Sequence, residues 1–147
     1  ELEGMCGRLA ARRISADELK ALRDAFEGCR RAGETGDSDD YYYENEAFHS
    51  VIYQASHNAF LAEEAQTLKQ RLKPYRRLQL QVRSRMQSSL DEHREVLQAI
   101  EAGDAESAER ILRDHVLIQG ERFSDFVSSV RKLEEGGGES RRATASN

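Results

Sequence analysis

Apolar residues recur along this chain at three- and four-residue spacing, the signature of helices with one buried face. Leu2, Met5, Leu9 and Ala10 carry the pattern to about residue 13, and Leu19, Leu22 and Phe26 carry it to near Gly33. Ser15, with Glu18 three residues on, reads as a capping box that opens the second of these helices. The polar stretch 33–39 predicts a loop. A third helix is expected from Tyr41 to Ser56, with Phe48, Val51, Ile52 and Ala55 inward, and Asn58 opens a fourth through Leu61, Ala65, Leu68 and Leu72. Pro74 falls inside this fourth pattern and is expected to kink or break it, because proline lacks an N–H and crowds the preceding turn. The pattern resumes through Leu78 and Val82.

A second capping box at 89–92 predicts the start of a helix through Leu90, Val96, Leu97 and Ile100. Gly103 suits its left-handed end, and Asp104 caps a last helix with Ala108, Ile111, Leu112, Ile118, Phe123 and Val127 inward. No segment alternates as a strand does. The expected fold is all-α, an antiparallel helical bundle of six to seven helices over residues 1–133. Residues 134–147 have no apolar period and read as a disordered tail.

Composition narrows the class. A chain of 147 residues suits one domain with one core. Its 38% hydrophobic and 33% charged content, with a single proline, is that of a soluble bundle. No apolar run approaches the roughly 18 residues of a membrane span, and no signal peptide is visible. Cys6 and Cys29 form no CxxC, which fits a reducing, cytoplasmic setting. A net charge of −5 is ill suited to holding a phosphate backbone unaided. The chain opens without Met, inside a predicted helix, so a longer protein with a further segment upstream is expected.

Candidate chemistry lies in the histidines. His49, His93 and His115 fall on the apolar stripes of three different predicted helices, whereas His57 precedes the fourth and is expected to be structural or exposed. A buried polar group without a partner costs roughly 1–3 kcal/mol, so these rings need partners. Asn45 lies four residues before His49, on the same face of its helix. Three imidazoles with an amide oxygen suit a borderline divalent metal, zinc or nickel. Any one of the three could equally be a core histidine satisfied by protein groups.

Several segments together resemble a known family. They are ELEGMCGRLAARRIS (1–15), NEAFH (45–49), ASHNAFL (55–61), RMQSSLDEH (85–93), VLQAIEAGD (96–104) and the spacing from Ala108 to His115. In order and spacing they resemble the FCD (FadR C-terminal) ligand-binding domain of GntR-type transcription regulators, over residues 1 to about 126. The resemblance implies a helical bundle that binds a divalent metal through an Asp-x3-His pair and two further histidines. Those roles fall here on Asn45, His49, His93 and His115, with Asn in place of the usual Asp. An amide oxygen can still coordinate but brings no charge, so the resemblance implies weaker metal affinity and an opening for an anionic effector. Arg85 matches a common arginine of the family, and Arg71 and Tyr75 lie on the expected pocket-facing helix. A guanidinium grips a carboxylate by paired hydrogen bonds, which makes these three candidate effector contacts. Arg12–Arg13, Arg30–Arg31 and Arg76–Arg77 are expected to cover exposed faces.

The leading reading is an effector-sensing domain for a small organic acid. The resemblance implies operator DNA bound as a dimer through an N-terminal winged helix-turn-helix outside this chain; the sequence does not single out the dimer face, for which the mixed stripes of the first and fourth helices are candidates. Two other readings compete: a structural dimerisation module with core histidines, and a metal-dependent enzyme. Against the enzyme, Glu44, Glu46 and Glu92 are expected to point off the ligand face. No Ser-His-Asp spacing, phosphate loop or HExxH motif is present.

Overall fold

The computed structural model describes residues 1–80 and 83–116, with all their side chains except those of residues 75, 78, 79, 83 and 84. Six helices and no strand occur among them: α1 (Leu2–Arg13), α2 (Ala16–Thr35), α3 (Ser38–Ala55), α4 (Ala59–Leu80), α5 (Arg83–Glu101) and α6, 105–116. The fold is all-α, as the periodicity predicts. The expected inward residues Ile118, Phe123 and Val127, the boundary at 133 and the tail 134–147 lie outside the described residues.

Local chemistry explains most helix ends. Ser15 and Glu18 make the expected reciprocal capping box at the start of α2. Gly36, at φ +74°, closes α2 in the left-handed conformation, and Asp37 caps α3 by accepting from the N–H groups of Asp39 and Asp40. The predicted loop 33–39 therefore shrinks to a two-residue turn. Asn58 accepts from the Leu61 N–H at the start of α4, and Asp104 does the same for Ser107 at α6. Gly103, at φ +69°, ends α5 as expected.

One expectation is narrowed and another fails. Pro74 lies inside a continuous α4, so of the kink or break expected there the break does not occur. The 89–92 pattern does not open α5, which already begins at Arg83, so a capping-box spacing sits within a helix.

Helix α3 packs on α1, α2 and α4, and α5 packs on α1, α2 and α4. The core gathers Cys6, Leu22, Phe26, Phe48, Ile52, Val96, Ile100 and Leu112, all buried. The face that α4 turns inward differs from the expected one. Leu68 and Leu72 are exposed, at 47% and 38%, while Leu61, Ala65, Lys69, Arg76 and Leu80 are buried. These five recur at four- and seven-residue steps, so a single stripe runs inward from apolar residues into cations.

Helix α1 meets α6 closely. A Cβ on Gly4 would lie 2.9 Å from the Glu109 carbonyl oxygen, and one on Gly7 would lie 3.0 Å from that of Ala108. Alanine gains up to about 1 kcal/mol of helix propensity over glycine, but overpacking against backbone costs typically about 1–3 kcal/mol. Replacing both (Gly4→Ala with Gly7→Ala) is predicted to destabilise the domain by about 2 kcal/mol. Urea denaturation checks this, and an unchanged or raised midpoint contradicts the close packing.

Candidate metal centre

Helices α3, α5 and α6 each turn one histidine into the interior, where His49, His93 and His115 are at most 1% exposed. Their ring centroids lie 5.2 Å apart for His49 and His93, 5.3 Å for His49 and His115, and 4.8 Å for His93 and His115. One ligand atom from each falls within 4.8 Å of the others, and the Nε2 atoms of His49 and His93 are 3.3 Å apart. Two imidazoles on a tetrahedral zinc, at Zn–N of about 2.05 Å, place their nitrogens about 3.4 Å apart. The donor set therefore fits a borderline divalent metal in both element and spacing. Phe48 stacks on His93 at 4.4 Å and walls one side.

Carboxylates stand behind two of the rings. Glu3 Oε2 lies 2.6 Å from His49 Nδ1, a close approach that is off the line for an aligned hydrogen bond, so its effect is mainly electrostatic. Glu92 pairs with His115 Nδ1. A carboxylate on the Nδ1 side favours the tautomer whose Nε2 lone pair can take a metal. Among the described residues His93 Nδ1 has no hydrogen-bond partner.

Burial is the main reason all three imidazoles resist protonation. It pushes His49 down to about 3, helped by the Lys69 charge and opposed by Glu3. His93 is held well below its usual range by burial and by the other two histidines. His115 is lowered by burial, against the pull of Glu92. At neutral pH the rings are unprotonated, the form a metal requires.

Around them lies a shell of ion pairs. Arg76 Nη2 donates to Glu3 Oε1 at 2.9 Å. Lys69 Nζ lies 3.1 Å from Glu46 Oε1 and 5.5 Å from the Tyr53 ring centre. Arg85 grips Glu92 with two bonds of 2.9 and 2.7 Å and comes within 3.4 Å of His115 Nδ1. Burial lowers Lys69 to about 8, against the stabilising charges of Glu3 and Glu46. Arg85 holds Glu92 down as well: its carboxyl sits at about 2, where the bonds from His115 and Arg85 outweigh burial.

The structure thus brings His49, His93, His115 and Arg85 together, and buries Asn45 on α3 one turn before His49. Arg71 is corrected: it is exposed, one of the α4 positions turned to water. Tyr75 has its backbone in α4, and its side chain lies outside the described residues. The expectation that Glu92 points away is also corrected, since Glu92 contacts His115, whereas Glu46 reaches Lys69 and not a histidine. Arg76, expected to cover a surface, is 8% exposed, whereas its neighbour Arg77 pairs with Asp39 on the outside. Glu3, Lys69 and Arg76 escaped the sequence reading. The four- and seven-residue spacing of Leu61, Ala65, Lys69, Arg76 and Leu80 is the signal that carries two of them. His57 is exposed at φ +49°, 3.0 Å from Glu18, consistent with a structural role.

Comparison with known proteins adds the lineage. Residues 1–117 match the FCD domain family. Over 124 residues the chain is 29% identical to a protein of Paenarthrobacter nicotinovorans named as a probable D-xylose utilization operon transcriptional repressor, covering 78% of this chain and 50% of that protein. The fold is similar to that of E. coli McbR/YncC, with TM-score 0.71 and 23% identity, over 84% of this chain and 61% of that one. It is also similar to Streptococcus agalactiae GntR, with TM-score 0.63 and 22% identity, over 81% and 53%. The chain spans about half the length of the curated relative it matches. None of the described helices is long and apolar enough to cross a membrane.

The neutral histidines set a pH dependence. The unfolded chain protonates them near 6.5, whereas the folded state resists, so the stability they contribute is complete above 6.5 and falls as pH drops through it. For His49 the loss continues to about 3, and below 4.5 the depressed carboxylates Glu3 and Glu92 add to it in the same direction. His49 loses about 1.4 kcal/mol per pH unit below 6.5, and His93 and His115, lowered by burial, add to the loss in the same direction. Urea midpoints of metal-free protein are predicted to fall steeply between pH 6.5 and 5. A flat profile over that interval contradicts neutral burial.

Proposed function

The chain belongs to the FCD domain family, the effector-sensing part of GntR-type transcription regulators, and on that premise we propose that it senses a small organic acid at a divalent metal. His49, His93 and His115 hold the metal, zinc or nickel, and Asn45 offers an amide oxygen. The observation that carries this reading is the convergence of three unprotonated imidazoles, from three helices, on one buried point. When bound, the metal supplies a Lewis-acidic centre with open positions for an oxygen ligand.

The remaining chemistry belongs to the chain. Glu3 and Glu92 orient the Nδ1 sides of His49 and His115. Arg85 keeps the role of a carboxylate contact, and Lys69 and Arg76 take the place on α4 assigned from sequence to Arg71. These groups come from all of the described helices except α2, so an acid bound among them biases how the helices sit together. It shifts the equilibrium between two arrangements only by its differential affinity for them. Operator DNA is read, in this proposal, by an N-terminal domain of the whole regulator and not by this acidic chain. A homodimer is part of the same reading, supported by exposed Met5 on α1 and Leu68 and Leu72 on α4, two helices that pack together.

The structural-module reading has one observation in its favour, the ion pairs that already satisfy much of the cluster. The Nε2 atoms of His49 and His93, facing each other at 3.3 Å, weigh against it, because two lone pairs directed at one point repel unless a proton or an ion lies between them.

Zinc at a hundred times its dissociation constant is predicted to stabilise the protein by about 2.7 kcal/mol. His93→Ala is predicted to abolish that gain, and a chelator to reverse it in the parent. Thermal melts with and without zinc read all three. A parent whose melting is indifferent to both zinc and chelator overturns the metal reading.

Self-association is checked separately by sedimentation equilibrium. Leu68→Arg combined with Leu72→Arg is predicted to raise the dimer dissociation constant at least about tenfold, as loss of two anchor side chains implies. An unchanged constant places the dimer face elsewhere.

A further inference from the structure

The charges around the histidines cancel. Three cations, Lys69, Arg76 and Arg85, face three carboxylates, Glu46, Glu3 and Glu92, each in contact with its partner. The imidazoles between them are neutral, and Asn45 adds no charge. A divalent ion entering this balanced shell leaves two positive charges in the interior with nothing on the chain to offset them. Buried charge without compensation is strongly unfavourable, so the loaded site demands two negative charges from outside. An aspartate at position 45 supplies one of them, and the asparagine here supplies none.

A second observation says where the extra charge can be held. Each cation has donors to spare among the described residues: Arg76 Nη1 and Arg85 Nε are buried without a hydrogen-bond acceptor, and Lys69 Nζ, with three N–H groups, lies 3.1 Å from Glu46 Oε1. Arg85 Nη2 lies 3.4 Å from His115 Nδ1, and Lys69 and Arg76 are buried on the inward stripe of α4. Unused cationic donors therefore border the same interior that the ion occupies. Three such donors, spread over α4 and α5, are more than one acidic group bound at the ion can satisfy, whereas a second acidic group can take some of them.

We propose that the metal-loaded site is built for a dianion, a small dicarboxylic acid that places one carboxylate at the ion and the other on the free donors of Lys69, Arg76 or Arg85. The inference rests on the metal-dependent reading above and narrows its ligand from an organic acid to a diacid. Asn45 is then the residue that sets the charge of the ligand.

Calorimetric titration of the zinc-loaded chain tests this with size-matched pairs: propionate against malonate, butyrate against succinate, and valerate against glutarate. At least one diacid is expected to bind about tenfold or more tightly than its matched monoacid, the ratio that one charge-assisted bond in a buried site produces. The preference is expected to vanish without zinc. Asn45→Asp is expected to tighten zinc and to bring each pair close to equality, because the new carboxylate replaces one ligand charge. Lys69→Gln, which removes a donor and leaves Glu46 without its cation, is expected to shrink the preference and to tighten zinc, as any net negative charge added to the shell does. If zinc binds and monoacids match diacids in the parent, a hydroxide on the ion or some other anion completes the charge; the diacid proposal then fails while the metal site stands. Equal diacid affinity with and without zinc, or no diacid binding to the zinc form, also overturns it. Failure of zinc itself to bind removes both readings.

Discussion

The domain is organised around the difficulty of keeping three imidazoles out of water. A protonated imidazole in this interior is too costly to survive, so the rings stay neutral, and each must find a partner for one N–H and one lone pair. Protein groups meet that demand in part. Glu3 and Glu92 serve one side of two rings, and His93 and His49 face each other at 3.3 Å. The balance is left open at the centre of the triangle, where the ion proposed above would satisfy three lone pairs at once. Removing that convergence leaves an ordinary bundle with an oddly polar core.

The ion-pair shell follows from the same constraint. Carboxylates placed behind the histidines are themselves buried or nearly so, and a buried carboxylate needs a cation. Arg76 and Arg85 fill that need for Glu3 and Glu92, and Lys69 sits with Glu46 over the Tyr53 ring. One functional requirement thus propagates outward through two layers of side chains and recruits α1 and α4, which carry no histidine of the cluster. It also explains why α4 gives up two leucines to solvent: its inward register is fixed by Lys69 and Arg76 rather than by its most apolar face.

This is also where the sequence ceased to be legible. Periodicity and caps located each of the described helices, and the histidine stripes located the cluster, because burial of apolar residues and backbone capping are local and repeat with a known period. The start of α5 was misplaced since a Ser-x-x-Glu spacing occurs inside helices as well as at their ends. The face of α4 was misjudged because hydropathy treats Lys69 and Arg76 as solvated and Leu68 and Leu72 as buried. Only the distant partners Glu46 and Glu3, 23 and 73 residues away in sequence, make the opposite arrangement favourable. Arg71 was chosen for the same mistaken face, whereas Arg85 was reached through the family resemblance.

Pro74 falls between Lys69 and Arg76 on α4. Lacking an amide hydrogen, it cannot donate to the carbonyl of Gln70, one turn back, and Gln70 is exposed, so water takes that acceptor. The rod carrying both cations therefore misses one rung of its ladder between them. The ammonium and the guanidinium are thus carried on opposite sides of the gap that proline leaves in the backbone ladder of α4.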